Sequence, residues 1–300
     1  MGTFISLESS IINVKMGFKT MNKTSKAAGK IIKWLFILIV AIFTIYPVFY
    51  TLMGSLKTNA ELISGSTLLP SRWMFSNYVQ AFRQGNFIQY TWNSVYLCVM
   101  VTVLALLTSS LTGYVLARHR FPGGKLLLSM HLAFMFVSLG AVSLYPQYRL
   151  MHALGLTGNL IGLALVLTGG QGTNIFLTIG FIKTLPKELD EAALIDGCSY
   201  FRVYWNVILP LLRPILGVVA LFTFRTAWND YITSFIFTMA NPLLKPLTVA
   251  VVSLRYSANA AAEWNIMTAG AAISLLPVLI LYCFTSKQFI SGLTSGAVKG

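Results

Sequence analysis

Six long apolar runs leave this chain few ways to fold. They cover about 32–54, 91–117, 126–148, 160–182, 213–236 and 264–287. Each has room for the roughly 20 residues that an α-helix needs to cross a bilayer. A backbone surrounded by hydrocarbon must satisfy its own hydrogen bonds, so runs of this length predict helices. The whole composition agrees: mean hydropathy is +0.73, with 56% hydrophobic and 10% charged residues, which no ordinary water-soluble domain shows. The expectation is an all-α, polytopic membrane protein. A leader would occupy 1–31, a six-helix membrane domain 32–288 and a short tail 289–300.

The net charge of +14 does not point to nucleic acid, because the positive residues flank apolar runs. With the N-terminus inside, fifteen Lys and Arg fall in cytoplasmic segments and six (Lys57, Arg72, Arg83, Arg149, Lys245, Arg255) in outer ones. Arg225 remains inside a span. The asymmetry puts both termini in the cytoplasm. The first run is too long for a signal-peptide core and lacks a small-residue cleavage site, so it reads as an uncleaved span; Met1, Met16 and Met21 are all possible starts. Cys98, Cys198 and Cys283 lie far apart and suggest neither disulfides nor a metal site. His119, His131 and His152 are scattered, and no Ser/His/Asp set has positional support. Gly123-Gly124-Lys125 lacks the earlier Gly and the Ser or Thr of a phosphate-cradling loop, so the chain is not expected to bind or hydrolyse ATP.

Between the fourth and fifth runs lies a stretch of different character, LPKELDEAALIDGCSYFRVYWNVILPLLRP, residues 185–214. Of the eight acidic residues in the chain, four (Glu188, Asp190, Glu191, Asp196) fall within nine positions here. Pro186 suits a helix start, and the acids that follow favour the positive end of its dipole. Ala192, Ala193, Leu194 and Ile195 extend the helix. Gly197 allows a left-handed turn. Ser199 can cap a second helix through Tyr204 and Trp205, which Pro210 is expected to stop, and Pro214 can open the next span. Taken alone, this is either an amphipathic connector or a contact surface.

The order Glu191-Ala192-Ala193, Asp196-Gly197, Ile208-Leu209-Pro210 resembles the EAA signature of the membrane subunits of binding-protein-dependent ATP-binding-cassette importers. Cys198 stands where a small Ala is commoner in that family. The resemblance implies the MetI-like importer permease fold, with residues 185–212 as a cytoplasmic coupling loop docking on an ATPase subunit. Glu191, Ala192, Ala193, Asp196, Gly197, Leu209 and Pro210 would form the coupling site. It also implies the partners: a second permease subunit, two ATPase subunits that hold ATP and Mg²⁺, and an external sugar-binding protein, all at a bacterial plasma membrane. The segment LLPSRWMFSNYVQAF and the ending Gly292-Leu293-Thr294 with Gly296-Ala297-Val298-Lys299-Gly300 resemble the carbohydrate-uptake group, of the maltose-permease kind. By resemblance the tail reaches between the ATPase subunits; by composition it is a flexible end.

Other features stay open between two readings. The outer segment at about 55–90 mixes Trp73, Phe75, Tyr78 and Phe82 with polar residues, which suits a docking surface or an interfacial anchor. Arg225 lies eleven residues past Pro214, about 16 Å along a helix and near mid-bilayer. Asn229 shares its face, Asp230 is partly aligned, and Trp228 can stack on a sugar ring. These four line a solute path, or Arg225 and Asp230 pair with the partner permease; either way they face protein rather than lipid. In the sixth run Thr268-Ala269-Gly270-Ala271-Ala272 permits close packing, and Pro277 predicts a kink. A secondary transporter or channel is the alternative, and a membrane-embedded enzyme comes third. The former would want intramembrane carboxylates or broken helices, of which the sequence offers only Asp230.

Overall fold

The computed structural model describes residues 29–65, 67–84, 86–136, 140–255 and 262–297. The predicted leader therefore lies largely outside the described residues. Among those described there are helices and no strands. Helix α1 spans Gly29–Gly54, followed by the short α2 (Asn59–Ser64) and α3 (Ser76–Gln84). The 32-residue α4 (Phe87–Arg118) leads through a tight turn to α5 (Gly124–Phe136). Then come α6 (Leu144–Ala153), α7 (Leu160–Leu167), α8 (Gly172–Ile182) and α9 (Glu188–Ile195). Helix α10 (Tyr200–Val203) continues through a π-helical turn (Tyr204–Ile208) into α11 (Leu209–Leu211). The chain closes with α12 (Arg213–Asn229), α13 (Ile232–Thr238), α14 (Leu247–Ser253) and α15 (Trp264–Ala297).

Two of these helices, α1 and α4, are long and apolar enough to cross a membrane, and up to four spans result if α7–α8 and the α10–α12 pair each count as one bent span. Helices α5 and α15 are apolar too, the latter over Trp264–Ile280. Four predicted boundaries change. The third run is not one α-helix: it is divided between α5, a 3₁₀ turn at Gly140–Ser143 and α6, which continues to Ala153. The fourth run is not one helix: α7 and α8 meet at 58°. The fifth stops at Asn229, because Asp230 leaves the helix (φ −67°, ψ 122°) and its Oδ2 accepts from the Ser234 N–H at 2.7 Å to start α13. In the last run, the predicted tail is helical to Ala297, with Pro277 inside α15. Gly292 and Gly296 weaken a helix by about 1 kcal/mol each, which is too little to end one already nucleated by a long apolar stretch.

At about 48 Å, α4 is the mast of the fold. One core gathers on it from α7, α12, α13, α14 and α15, with Leu97, Val101, Leu163, Trp228, Phe237, Leu247 and Ala269 all buried. A second core lies at the other end of α4, where Tyr114, Ile182, Ala193, Tyr204, Ile208 and Leu212 pack together. The small residues of α15 do allow a close approach: a Cβ on Gly270 would come within 3.0–3.1 Å of Leu254 and Phe87. Asparagines stitch the segment after α1 to α15. Asn77 Nδ2 donates to the Ser55 and Lys57 carbonyls and its Oδ1 accepts from Asn265, while Asn59 bonds Ala262 O and Trp264 N–H. Lys57, counted among the outer charges, is buried, its Nζ donating to Thr67 O and lying near the Tyr50 ring. By contrast, α1 buries none of its apolar window against the rest of the chain. A helix apolar all round and uncovered requires lipid or another protein around it.

Candidate functional site

The stretch after α8 folds as a helix, an elbow and a second helix. Lys187 is the N-cap of α9, so Pro186 lies just outside the first turn. At the other end Gly197 takes φ +81°, its N–H bonding Leu194 O and the Cys198 N–H reaching back to Ala193 O, both at 3.0 Å. This pair of bonds closes a helix with a left-handed residue, a backbone that favours glycine. Ser199 Oγ then accepts from the Arg202 N–H at 3.4 Å and opens α10. Contrary to expectation, Pro210 does not stop the second helix. The Leu209 N–H reaches back five residues to Tyr204 O, and this widened π turn carries the chain past a residue with no N–H to give. The change of direction comes instead at Leu212, where the α10–α11 segment meets α12 at 78°.

The elbow is bolted to the end of α4. Asp190 accepts from Tyr114 Oη at 3.0 Å and lies 3.1 Å from Arg118 Nε. Arg118 Nη2 also donates to Leu185 O at 3.0 Å and Pro186 O at 3.3 Å. Ser110 and Tyr204 share a hydroxyl hydrogen bond at 2.7 Å, and both residues are buried. His119 sits edge-on to Tyr200 at 5.1 Å. With the inner face fixed, the outer one is bare. Ala193 faces inward, while Glu188, Glu191, Ala192, Ile195, Asp196 and Gly197 are exposed; Leu209 is half-buried and Pro210 exposed. Phe201 and Trp205 extend this face, stacked at 6.2 Å and both exposed. At 100° per residue Glu188, Glu191, Ala192 and Ile195 share one side of α9, an acid-rimmed apolar ridge.

A second feature lies at the break between α7 and α8. Gly170 has φ +70°, and Thr168 to Thr173 turns the chain through the bend. Beside it opens a cavity of about 270 Å³, walled by Gln171, Asn174, Thr223, Arg225 and Thr226 among others. Asn174 Nδ2 contacts Gln171 Oε1 at 2.5 Å and Thr223 Oγ at 3.2 Å, tying α8 to α12. Ile182 and Pro214 flank the elbow, and Gln171 and Arg225 each lie eleven residues from one of them, so break and arginine sit at matching depth. Of the residues singled out on α12, Arg225 lines the cavity; Asn229 is exposed nearby and donates to Arg225 O at 2.9 Å. Trp228 does not. It is 3% exposed, stacked on Phe224 at 5.7 Å, and its carbonyl accepts from Thr248 Oγ. In this conformation it is a core side chain with no free face for a sugar. Asp230 accepts from the Ser234 N–H in the first turn of α13, as described above.

Comparison with known proteins now decides the family. A family model described as the inner-membrane component of binding-protein-dependent transport systems matches residues 16–287. The chain belongs to that family. Among its relatives, the probable starch degradation products transport permease AmyC of Thermoanaerobacterium thermosulfurigenes is 30% identical over 87% of this chain and 94% of that protein. The maltodextrin transport permease MdxG of Bacillus subtilis is 31% identical over 92% of this chain and 99% of its own. In fold, the chain matches a subunit of a bacterial ABC transporter involved in import of the acidic polysaccharide alginate, with TM-score 0.74, 22% identity, and 88% and 98% of the two chains covered.

In this transport component, sequence reasoning missed two sets of residues. Tyr114 and Arg118, which anchor the elbow, sit at the end of a span that reads as featureless. Gln171 and Asn174 lie in the run Thr168-Gly169-Gly170-Gln171-Gly172-Thr173-Asn174, whose polar, glycine-rich character was the signal available. The break also removes part of the case against a secondary transporter, since a broken helix is present; family membership, not its absence, sets that alternative aside.

Proposed function

We propose that this permease is one of two membrane subunits of an importer for oligosaccharides or related sugars, driven by separate ATPase subunits. One observation carries the reading: within a chain of this family, an acid-rimmed ridge stands bare on an elbow that is fixed by hydrogen bonds and an ion pair to the end of α4. The sugar class comes from the relatives, whose names include starch degradation products and maltodextrin. The proposed chain makes six crossings with both termini in the cytoplasm, which the fifteen-to-six distribution of positive charge supports. The uncovered α1 supports a second permease subunit, and the segment around Trp73 and Phe75 is offered to an external binding protein. ATP and Mg²⁺ belong to the ATPase partners.

The transmission follows from the connections. Motion of an ATPase partner pushes on Glu191, Ala192 and Asp196. Asp190, Tyr114 and Arg118 pass the push to α4, and the bend at Leu212 passes it to α12. Helix α12 also walls the mid-depth cavity through Thr223, Arg225 and Thr226. A shift at the elbow therefore reshapes the solute path, and ATP drives it by its preference for one state over the other. The test is uptake of a panel of oligosaccharides in a strain lacking the gene, complemented by wild type or by Glu191→Lys with Asp196→Lys. Expected is uptake restored by wild type alone, with an ATPase subunit co-purifying only with wild type. Undiminished uptake by the variant sinks the coupling role. Sugar movement by the purified chain without nucleotide would favour the secondary-transporter alternative, to which the α7–α8 break lends its one supporting observation.

A further inference from the structure

The turn that joins α4 to α5 holds a pocket of about 510 Å³ that the transport cycle leaves unused. Leu116, Phe121 and Leu128 form its apolar wall, and His119, Arg120 and Lys125 its polar rim. No carboxylate is among its described lining residues, although Asp190 is bound by the neighbouring Arg118. Arg120 and Lys125 are exposed and have no anionic partner among the described residues. The pocket also faces the first turn of α5, whose dipole adds positive potential. We propose that this pocket binds the headgroup of an anionic glycerophospholipid, its phosphodiester between Arg120 and Lys125 and the start of an acyl chain along Leu116, Phe121 and Leu128.

Three observations single out a lipid. First, the pocket joins the ends of two apolar helices, which is where headgroups lie. Second, half of its lining is apolar, and a free phosphate would leave that half wet. Third, Arg120 and Lys125 line the same pocket from the two ends of the turn, so one phosphodiester can meet both. His119 links the site to the elbow, packing edge-on against Tyr200 at 5.1 Å and Tyr114 at 5.3 Å. A bound lipid thus leans on the same end of α4 that holds Asp190.

The test uses the full-length chain with the subunits that co-purify with it, delipidated in mild detergent. It is titrated with phosphatidylglycerol, with phosphatidylcholine and with inorganic phosphate, and retained lipid is read by native mass spectrometry. Expected is preferential retention of phosphatidylglycerol, weakened about thirtyfold in Arg120→Gln with Lys125→Gln, two charges near the surface being removed. The matched pair Lys183→Gln with Lys187→Gln, exposed but outside the pocket, is expected to leave retention unchanged. Phe121→Ser is expected to weaken the lipid without altering charge. Equal loss in both charge pairs, equal retention of the two lipids, or displacement of the lipid by inorganic phosphate would each overturn the proposal.

Discussion

The elbow at Gly197 and the break at Gly170 both turn a helix on a left-handed glycine, yet they are built to opposite ends. At the elbow, hydrogen bonds fix the inner face to α4 and leave a bare outer ridge. At the break, Asn174 bonds Gln171 and Thr223, the side chains of Thr168, Gln171 and Thr226 bond backbone carbonyls nearby, and a cavity opens beside them, with Arg225 and Thr226 exposed at its edge. The first suits transmission of force, which needs stiffness. The second suits passage, which needs contacts weak enough to release what enters.

Substituting each glycine by valine separates the two. Neither site has any atom within 4 Å of an added Cβ, so the change adds backbone strain without a clash. That strain is about 1–3 kcal/mol for a β-branched residue in the left-handed region. Gly197→Val is expected to reduce uptake to background while the chain still inserts, because a displaced ridge no longer meets its partner. Gly170→Val is expected to lower uptake by about tenfold and to raise the sugar concentration needed for half-maximal rate, because only the path is reshaped. Equal effects at both positions would show that the distinction between lever and path is wrong.

The anchor of the elbow gives the next largest effect. Asp190 and Arg118 side chains are 14% and 6% exposed. Removing one member of a buried pair leaves a stranded charge and costs about 3–5 kcal/mol, whereas removing both costs less. Arg118→Met alone is therefore expected to lower the thermal midpoint more than Arg118→Met with Asp190→Leu, and a double-mutant cycle measures the difference. Additive losses would show that Asp190 is held by Tyr114 alone.

Why one region was legible and the other not follows from the range of the signals. The elbow is written locally: acids in a first turn, a glycine at the helix end, a serine cap, each within a few residues of what it does. The break is hidden by averaging, since Leu160–Leu167 and Ile175–Ile182 on either side keep the mean hydropathy of the run high. Pro210 misled because a proline signals a stop only where the preceding turn is α-helical, and a π turn cannot be seen in the residues. Trp228 misled through geometry. At 100° per residue Phe222, Arg225, Thr226 and Asn229 share the exposed face of α12, while Trp228 lies at its margin and turns to Phe224, four residues before it.

That correction yields its own contrast. Trp228→Ala is expected to cost about 3–5 kcal/mol of stability, a large buried side chain being lost, with no change in the relative uptake of different sugars. Arg225→Gln, on the exposed face, is expected to leave stability nearly untouched and to change uptake by several-fold. A Trp228→Ala variant of normal stability and altered sugar preference would restore the stacking role read from sequence.

The smallest expected effect lies far from both regions, in the segment after α1. Glu61 caps α2 by accepting from the Thr58 N–H and reaches forward to the N–H and hydroxyl of Ser71. Those bonds, Ser71's hydroxyl first, hold its carboxyl down at about 2, against an ordinary 4.5. A depressed carboxylate stabilises the fold fully above its unfolded value, and the contribution is lost as pH falls from about 4.5 towards 2. Because Glu61 is only half-buried, the loss is expected to remain local: reduced amide protection, relative to the intrinsic exchange rate at each pH, at Glu61 and Ser71 on acidification, with no change at the elbow. Glu61→Gln cannot titrate and is expected to show no acid step. Persistence of the step in that variant would assign it to another group.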